Sequence, residues 1–242
     1  MIAAARLGIL GGTLDPVHAG HIQTALAARR LLGLDRVLLM PSRVPPHRPA
    51  QPAVSTFHRF AMAALAIQDA EGLEVSDLEL RAPGTSYTSE TLERLHGIGL
   101  RPLQIFFITG ADAFAEIETW HRYPDVLDMA HFAVVARPGY EPEAVTSRIP
   151  ALAGRVVDAS PRAAAGARLS VFLVNAATPD VSSTRIRQRL REGRSIAGLV
   201  PPAVEAHILR HRLYQAQATD SNTPDLKVGP ARTAANHLHG ED

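Results

Sequence analysis

Residues 8–21, GILGGTLDPVHAGH, join a short apolar run to a stretch rich in alanine and leucine. The apolar run at 4–12 is typical of a buried strand that ends in a turn, and 22–33 has the spacing of an amphipathic helix with a glycine stop. The glycines at 11 and 12 permit a tight turn, and Pro16 stiffens the entry into the helix. The stretch therefore predicts a strand–turn–helix unit.

The same alternation of strands and helices continues along the chain. Strand patterns follow at 35–42, 73–80, 103–110, 132–139 and 169–175, and helical patterns at 55–70, 86–99, 124–131, 182–193 and 201–214. The uninterrupted apolar runs at 103–108 and 132–136 favour strands buried on both faces. We therefore expect an α/β fold with a doubly wound, mostly parallel sheet and helices on both faces. One domain over 1–214 and a disordered polar tail over 215–242 complete the predicted organisation.

The composition limits the chemistry that the chain can perform. There is no cysteine, and the 25 basic residues are 24 arginines and one lysine, Lys227, which lies in the predicted tail. Thiolate sites and a phosphate-binding lysine in the folded part are therefore excluded. The net charge of +1 argues against a general nucleic-acid binder, and no apolar stretch reaches the length of a membrane span. We expect a cytoplasmic protein that recognises anions locally.

Two histidines lie where the first strand passes into the first helix. His18 and His21 are three residues apart, so on a helical first turn they share one face. That face lies at the positive end of the helix dipole, beside backbone N–H groups. The pattern favours a phosphate site, with zinc as the weaker alternative because no third ligand is evident.

Other candidates follow predicted strands, at the edge where parallel sheets bind ligands. Gly110 and Asp112 follow the strand at 103–110, and the proline-rich loop after the second strand carries His47 and Arg48. Ser182, Ser183 and Thr184, with Arg187 just inside the helix, could surround a polyphosphate. Trp120, the single tryptophan, lies among polar residues and could stack on an aromatic ligand.

Taken together, these motifs resemble the nucleotidyltransferases with an HxGH signature, and within them the bacterial nicotinate-nucleotide adenylyltransferases. The resemblance runs from about Leu7 to Tyr214 through GGTLDPVHAGH, PPHRP, SYTSETL, FITGADAF, ARPG, SSTRIR and VPPAVEAHILRHRLY. It implies a Rossmann-like nucleotidyltransferase fold and transfer of the adenylyl group of ATP to nicotinate mononucleotide, in NAD biosynthesis. The mononucleotide phosphate would attack ATP directly and in line, without a covalent enzyme intermediate. Arg48 replaces the usual lysine of the family, which keeps the charge but changes the contact geometry.

The resemblance also implies roles for individual residues. The catalytic residues would be His18, His21 and Arg187. The ATP site would comprise these three residues with Gly11, Gly12, Thr13, Gly110, Asp112, Arg137, Ser183 and Thr184. The mononucleotide site would comprise His47, Arg48, Thr85, Tyr87, Trp120 and His121. Mg²⁺ would accompany ATP, held mainly by phosphates and water, with no dedicated protein ligands.

The sequence leaves several alternatives open. On the same fold, the acceptor could be nicotinamide mononucleotide or phosphopantetheine, or the enzyme could be a cytidylyltransferase. Two alternatives come from other functional classes: the chain could be a non-catalytic nucleotide-binding regulator or a metal-dependent hydrolase. The partners expected are small molecules, with no nucleic acid and no membrane, and a homo-oligomer is left open.

Overall fold

The computed structural model of the chain describes residues 5–46, 52–136 and 149–215. Its strands are β1 (Leu7–Gly12), β2 (Arg36–Pro41), β3 (Leu73–Val75), β4 (Ile105–Gly110), β5 (His131–Val135), β6 (Val156–Asp158) and β7 (Val171–Val174). Its α-helices are α1 (Ala19–Leu32), α2 (Thr56–Ala66), α3 (Leu78–Arg81), α4 (Thr88–Gly97), α5 (Ala111–Phe114), α6 (Ser183–Arg191) and α7 (Pro202–Arg210). Short 3₁₀ segments lie at Pro102–Gln104, Ile117–Thr119, Asp125–Asp128, Pro150–Leu152 and Ala163–Ala165.

The strands form one parallel sheet in the order β3-β2-β1-β4-β5-β7-β6. β1 lies inside the sheet and pairs with β2 on one side and β4 on the other. The chain therefore winds outward in both directions from the β1–β4 pair. In such a doubly wound sheet, a crevice opens beyond the carboxyl ends of the two strands where the order reverses. The predicted fold class is confirmed.

Both faces of the sheet are apolar, as β4 illustrates. Phe106 and Ile108 belong to the core cluster that includes residues of α1, α2, α6 and α7. Ile105 and Phe107 belong to a second cluster on the opposite face, which includes residues of α4 and α5. All four side chains are buried. Removing apolar surface from water on both sides of the strand stabilises this arrangement and explains the uninterrupted apolar run.

Helix α1 follows β1 after a short turn, begins three residues before the predicted 22–33 and ends at the predicted glycine. His18 is the N-cap, with extended backbone, and the helix ends at Gly33, whose φ is +61°. This left-handed conformation is disfavoured for residues with a side chain, so a glycine ends the helix here. The Gly33 N–H donates to the carbonyl of Arg29. The β1–α1 unit thus holds the intervening turn at the edge of the crevice.

Some boundaries differ from those predicted. The strand expected at 73–80 ends at Val75, and α3 follows, with the Arg81 N–H donating to the Asp77 carbonyl. The helix expected at 201–214 ends at Arg210 and gives way to turns. β6 has only three residues and was not predicted. The tail expected at 215–242 lies outside the described residues, apart from Gln215.

Candidate active site

A cavity of about 490 Å³ opens beyond the carboxyl ends of β1 and β4. Gly11 and Gly12 line it from the end of β1, and Gly110 from the end of β4. Val135 contributes from the end of β5. The cavity therefore lies at the reversal of strand order, where doubly wound sheets bind their ligands. Its volume is in the range of small-molecule sites.

The two histidines of the first helical turn form one wall of this cavity. The rings of His18 and His21 are stacked, with centroids 3.7 Å apart and planes inclined by 30°. The backbone N–H of His18 donates to Nδ1 of His21 at 3.2 Å. Because Nδ1 accepts a hydrogen bond, it carries no proton, and the N–H of the His21 imidazole is at Nε2. His21 therefore contributes a hydrogen-bond donor at Nε2.

Gly20 allows the His18 ring to lie against the start of α1. A Cβ atom at position 20 would be 3.0 Å from Nδ1 of His18 and 3.1 Å from its Cε1. Such distances are shorter than ordinary van der Waals contact, so any side chain here would displace the ring. The glycine between the two histidines is therefore required for the His18 ring to lie this close to the start of α1.

The start of α6 contacts the turn between β1 and α1. Ser183 Oγ donates to the carbonyl of Pro16 at 2.9 Å. The Arg187 guanidinium is buried, and its Nη1 donates to the carbonyl of Asp15 at 2.6 Å. Its Nη2 lies 3.4 Å from Oγ1 of Thr184. These predicted polyphosphate-binding groups are therefore not in the cavity lining. Ser183 and Arg187 instead hydrogen-bond to the turn between β1 and α1.

Another part of the cavity lining is aromatic. Trp120 lines the cavity and packs edge-to-face on Phe107, with ring centroids 5.9 Å apart. Tyr87 and His121 line it as a stacked pair, with centroids 4.5 Å apart and planes inclined by 25°. Ser89 Oγ lies 2.8 Å from Nδ1 of His121 and fixes that ring. A planar ligand can therefore meet ring surfaces on this side.

Most of the predicted site residues in the described ranges line this one cavity. Those in its lining are Gly11, Gly12, Thr13, His18, His21, Tyr87, Gly110, Asp112, Trp120 and His121. Those described but outside the lining are Thr85, Ser183, Thr184 and Arg187. His47, Arg48 and Arg137 lie outside the described residues.

Glu79 is a cavity residue that the sequence did not indicate. Its side chain is 5% exposed and lines the cavity, and its Oε1 accepts a hydrogen bond from Thr91 Oγ1 at 2.7 Å. Burial raises the pKa of Glu79, while hydrogen bonds from Thr91 and Ser86 act in the opposite direction. A carboxyl group with this burial beside a ligand cavity is typical of functional sites.

Arg59 is a second residue that the sequence did not indicate. Its side chain is fully buried, and Nη1 donates to the carbonyls of Thr13, at 2.8 Å, and Ser42, at 2.6 Å. Burial lowers its pKa, and the charge of Asp15 opposes this shift most strongly. A charged residue within the helical pattern TFHRFAMAALA was the only available signal, and such residues are usually solvated.

In 5–46, 52–136 and 149–215, no three His, Cys, Asp or Glu side chains form a group that could hold a metal ion. Within the same ranges, no helix combines the length and apolar character that a membrane crossing requires.

Comparison with known proteins identifies the chain as a nucleotidyltransferase. The family model described as cytidylyltransferase-like matches residues 9–189, so the chain belongs to that family. A protein of Pseudomonas syringae pv. tomato named "Probable nicotinate-nucleotide adenylyltransferase" is 41% identical over 217 residues, covering 90% of this chain and 97% of its own. A protein of the same name from Desulfatibacillum aliphaticivorans is 38% identical, covering 86% and 99%. Within its class, the chain therefore belongs to the nicotinate-nucleotide adenylyltransferase family.

Solved structures support the fold. The nicotinic acid mononucleotide adenylyltransferase of Plasmodium falciparum complexed with NaAD has a TM-score of 0.68 and 17% identity, covering 87% of this chain and 98% of its own. A putative nicotinate-nucleotide adenylyltransferase from Vibrio parahaemolyticus has a TM-score of 0.53 and 21% identity, covering 87% and 96%. At these identities the likeness concerns the arrangement of strands and helices.

Proposed function

We propose that the chain transfers the adenylyl group of ATP to nicotinate mononucleotide, giving nicotinate adenine dinucleotide and pyrophosphate. The observation that carries this proposal is one 490 Å³ cavity with the His18–His21 pair on one wall and Trp120 on another. The first wall suits phosphates and the second suits a planar ring. The names of the relatives support the choice of substrates. A cytoplasmic setting is part of the proposal.

The reaction needs binding and charge stabilisation rather than a protein nucleophile. An oxygen of the mononucleotide 5′-phosphate attacks the α-phosphorus of ATP and forms the new P–O bond. The bond from that phosphorus to the oxygen bridging to the β-phosphate breaks, and pyrophosphate leaves with the electron pair. The chain has no cysteine, consistent with direct transfer. Alignment of two anions and stabilisation of the developing charge supply the catalysis.

We assign the phosphates of ATP to the wall at the start of α1. His18 and His21 would meet the α-phosphoryl group, with His21 donating from Nε2, because its Nδ1 accepts from the backbone. Thr13 and the glycines at 11 and 12 would lie beside them, in the same lining. Gly110 and Asp112, which are in the lining, would meet the adenosine. By resemblance to the family, Arg137 would also belong to the ATP site, and Ser183, Thr184 and Arg187 would meet the β/γ end.

We assign the mononucleotide to the aromatic wall. The pyridine ring would stack on Trp120, whose edge-to-face contact with Phe107 fixes the indole. The carboxylate of the pyridine ring would accept hydrogen bonds from backbone N–H groups near Thr85 and His121, with Tyr87 close by. His47 and Arg48, which follow β2 in the sequence, would meet the 5′-phosphate.

Enzymes of this class generally use a divalent metal ion with ATP, and we infer that the ion is Mg²⁺. An ion held mainly by the ATP phosphates and water fits this lining, since the carboxylate of Glu116 there could accept hydrogen bonds from metal-bound water. When bound, the ion would neutralise charge on the β- and γ-phosphates. The protein residues would orient those phosphates.

A pyrophosphate-release assay with ATP and Mg²⁺ tests the proposal. Turnover with nicotinate mononucleotide that exceeds turnover with nicotinamide mononucleotide is the expected result. Faster turnover with the amide would overturn the choice of acceptor alone. No release with either mononucleotide, or with phosphopantetheine, would leave a nucleotide-binding regulator as the better description. Bound zinc in elemental analysis would favour the hydrolase.

A further inference from the structure

The side chain of Asp15, in the turn between β1 and α1, is almost fully buried and is bound from distant parts of the chain. Its Oδ1 accepts a hydrogen bond from the hydroxyl of Tyr214 at 2.6 Å. Its Oδ2 accepts one from the backbone N–H of Ala53, also at 2.6 Å. Its backbone carbonyl accepts from Arg187 Nη1. The turn is therefore fixed by residues 38, 172 and 199 positions away.

Residues shortly before and shortly after Asp15 line the cavity. Thr13 and His18 both belong to the lining, and the carbonyl of Thr13 accepts a hydrogen bond from buried Arg59. A displacement of Asp15 would therefore move Thr13 and His18, which lie on the phosphate-binding wall of the cavity. The aromatic wall at Trp120 comes from a separate segment of the chain and packs on Phe107.

Tyr214 follows the last described helix and is suited to a fixed donor role. Its ring is partly buried against the core cluster that includes residues of α1 and α7. Burial and the neighbouring charge of Asp15 raise the pKa of the Tyr214 phenol, so its hydroxyl stays protonated and donates. Loss of this donor would leave the buried Asp15 carboxylate without a hydrogen bond to Oδ1.

We propose that Asp15 and Tyr214 are a positioning pair, in which the phenol holds the buried carboxylate and the carboxylate holds the phosphate-binding turn. Neither residue needs to touch the substrates. The segment after α7 thereby becomes part of the active site, although it is distant in sequence from the histidines. The changes in kcat and KM expected from this inference rest on the proposed adenylyl transfer.

The test is a double-mutant cycle of Tyr214→Phe and Asp15→Ala, measured by pyrophosphate release and by thermal unfolding. Tyr214→Phe removes one hydroxyl and keeps the packed ring. We expect it to lower kcat about tenfold and to raise the KM for ATP several-fold, since a hydrogen bond to a buried charge is lost. The KM for the mononucleotide should stay near its wild-type value. The double variant should be no worse than the poorer single variant, because the two residues act as one unit.

Tyr123→Phe is the matched control, since it removes a phenol that lies 3.4 Å from the exposed carboxylate of Glu118. It should leave kcat and both KM values unchanged. Wild-type kinetics for Tyr214→Phe with a lower Tm would overturn the proposal and reduce the bond to a stabilising contact. Multiplicative losses in the double variant would also overturn it. If Asp15→Ala does not fold, Tyr214→Phe alone decides.

A calorimetric titration with ATP separates this inference from the proposed function. If the wild-type protein turns over neither mononucleotide, the proposed function fails, but ATP affinity still reports on the turn. Several-fold weaker ATP binding by Tyr214→Phe than by wild type would support the positioning pair. Equal ATP binding in the two proteins would overturn it.

Discussion

The backbone N–H of His18 is bonded to Nδ1 of His21, whose ring lies stacked on that of His18. The bond fixes the tautomer of His21, and the stacking fixes the plane of both rings. The backbone of the first helical turn thus determines which nitrogen of His21 donates. The pair is a preorganised group of donors at the α-phosphoryl position that we assign.

Replacement of His21 by alanine should therefore remove a donor that acts mainly in the transition state. We expect kcat to fall on the order of 10²-fold or more, with a smaller change in the KM for ATP. Steady-state pyrophosphate release measures both. His211→Ala, at an exposed histidine outside the cavity lining, is the control and should keep wild-type kinetics. An unchanged kcat for His21→Ala would make the pair structural.

Replacement of Gly20 by alanine should displace the His18 ring, because the new Cβ would lie 3.0 Å from Nδ1. We expect kcat to fall about tenfold or more, as for small misplacements of catalytic groups. Gly97→Ala is the matched control, since a Cβ there has nothing within 4 Å. Equal kinetics in the two variants would mean that the contact at Gly20 is relieved without cost to catalysis.

Trp120→Ala should weaken the binding of the mononucleotide more than that of ATP. Stacking on an aromatic side chain contributes about 1–3 kcal/mol, so the KM for the mononucleotide should rise roughly tenfold or more. Trp120→Phe keeps a ring and should lose much less. Initial rates at varied mononucleotide and saturating ATP provide the measurement. A rise confined to the KM for ATP would place the adenine, rather than the pyridine, on this ring.

The buried His131 makes stability depend on pH below neutrality. Burial lowers its pKa to about 4, whereas the unfolded value is near 6.5. Between these values the unfolded chain binds the proton, so the free energy of unfolding falls as the pH is lowered from about 6.5 to about 4, by about 3 kcal/mol. Urea unfolding at several pH values should show this loss. The slope should be smaller in His131→Gln and unchanged in His211→Ala.

The parallel sheet was predictable because its determinants are local in the sequence. The apolar run at 103–110 contains β4 and ends at Gly110, and the alternation of elements implied parallel pairing. The residues that follow parallel strands meet at one edge, so the strand ends also indicated the ligand site. Gly11, Gly110 and their neighbours accordingly line the cavity.

The contacts among distant residues could not be predicted in the same way. The hydroxyl and guanidinium groups of Ser183 and Arg187 suit phosphate oxygens and carbonyl oxygens equally, and here they meet the carbonyls of Pro16 and Asp15. From the sequence alone, Arg59 and Glu79 resemble ordinary solvent-exposed charged residues. Their burial follows only from how the helices pack. A single sequence carries no direct signal for such pairings.

The cavity is lined by residues from Leu10 to Val181, contributed from both sides of the central strand pair. A ligand that bridges these walls binds only when β1, β4 and the later segments are assembled. Its binding free energy is therefore added to the stability of the whole sheet by mass action. Saturating nucleotide should raise the midpoint of the global unfolding transition, and the substrates themselves thus become stabilisers of the fold that binds them.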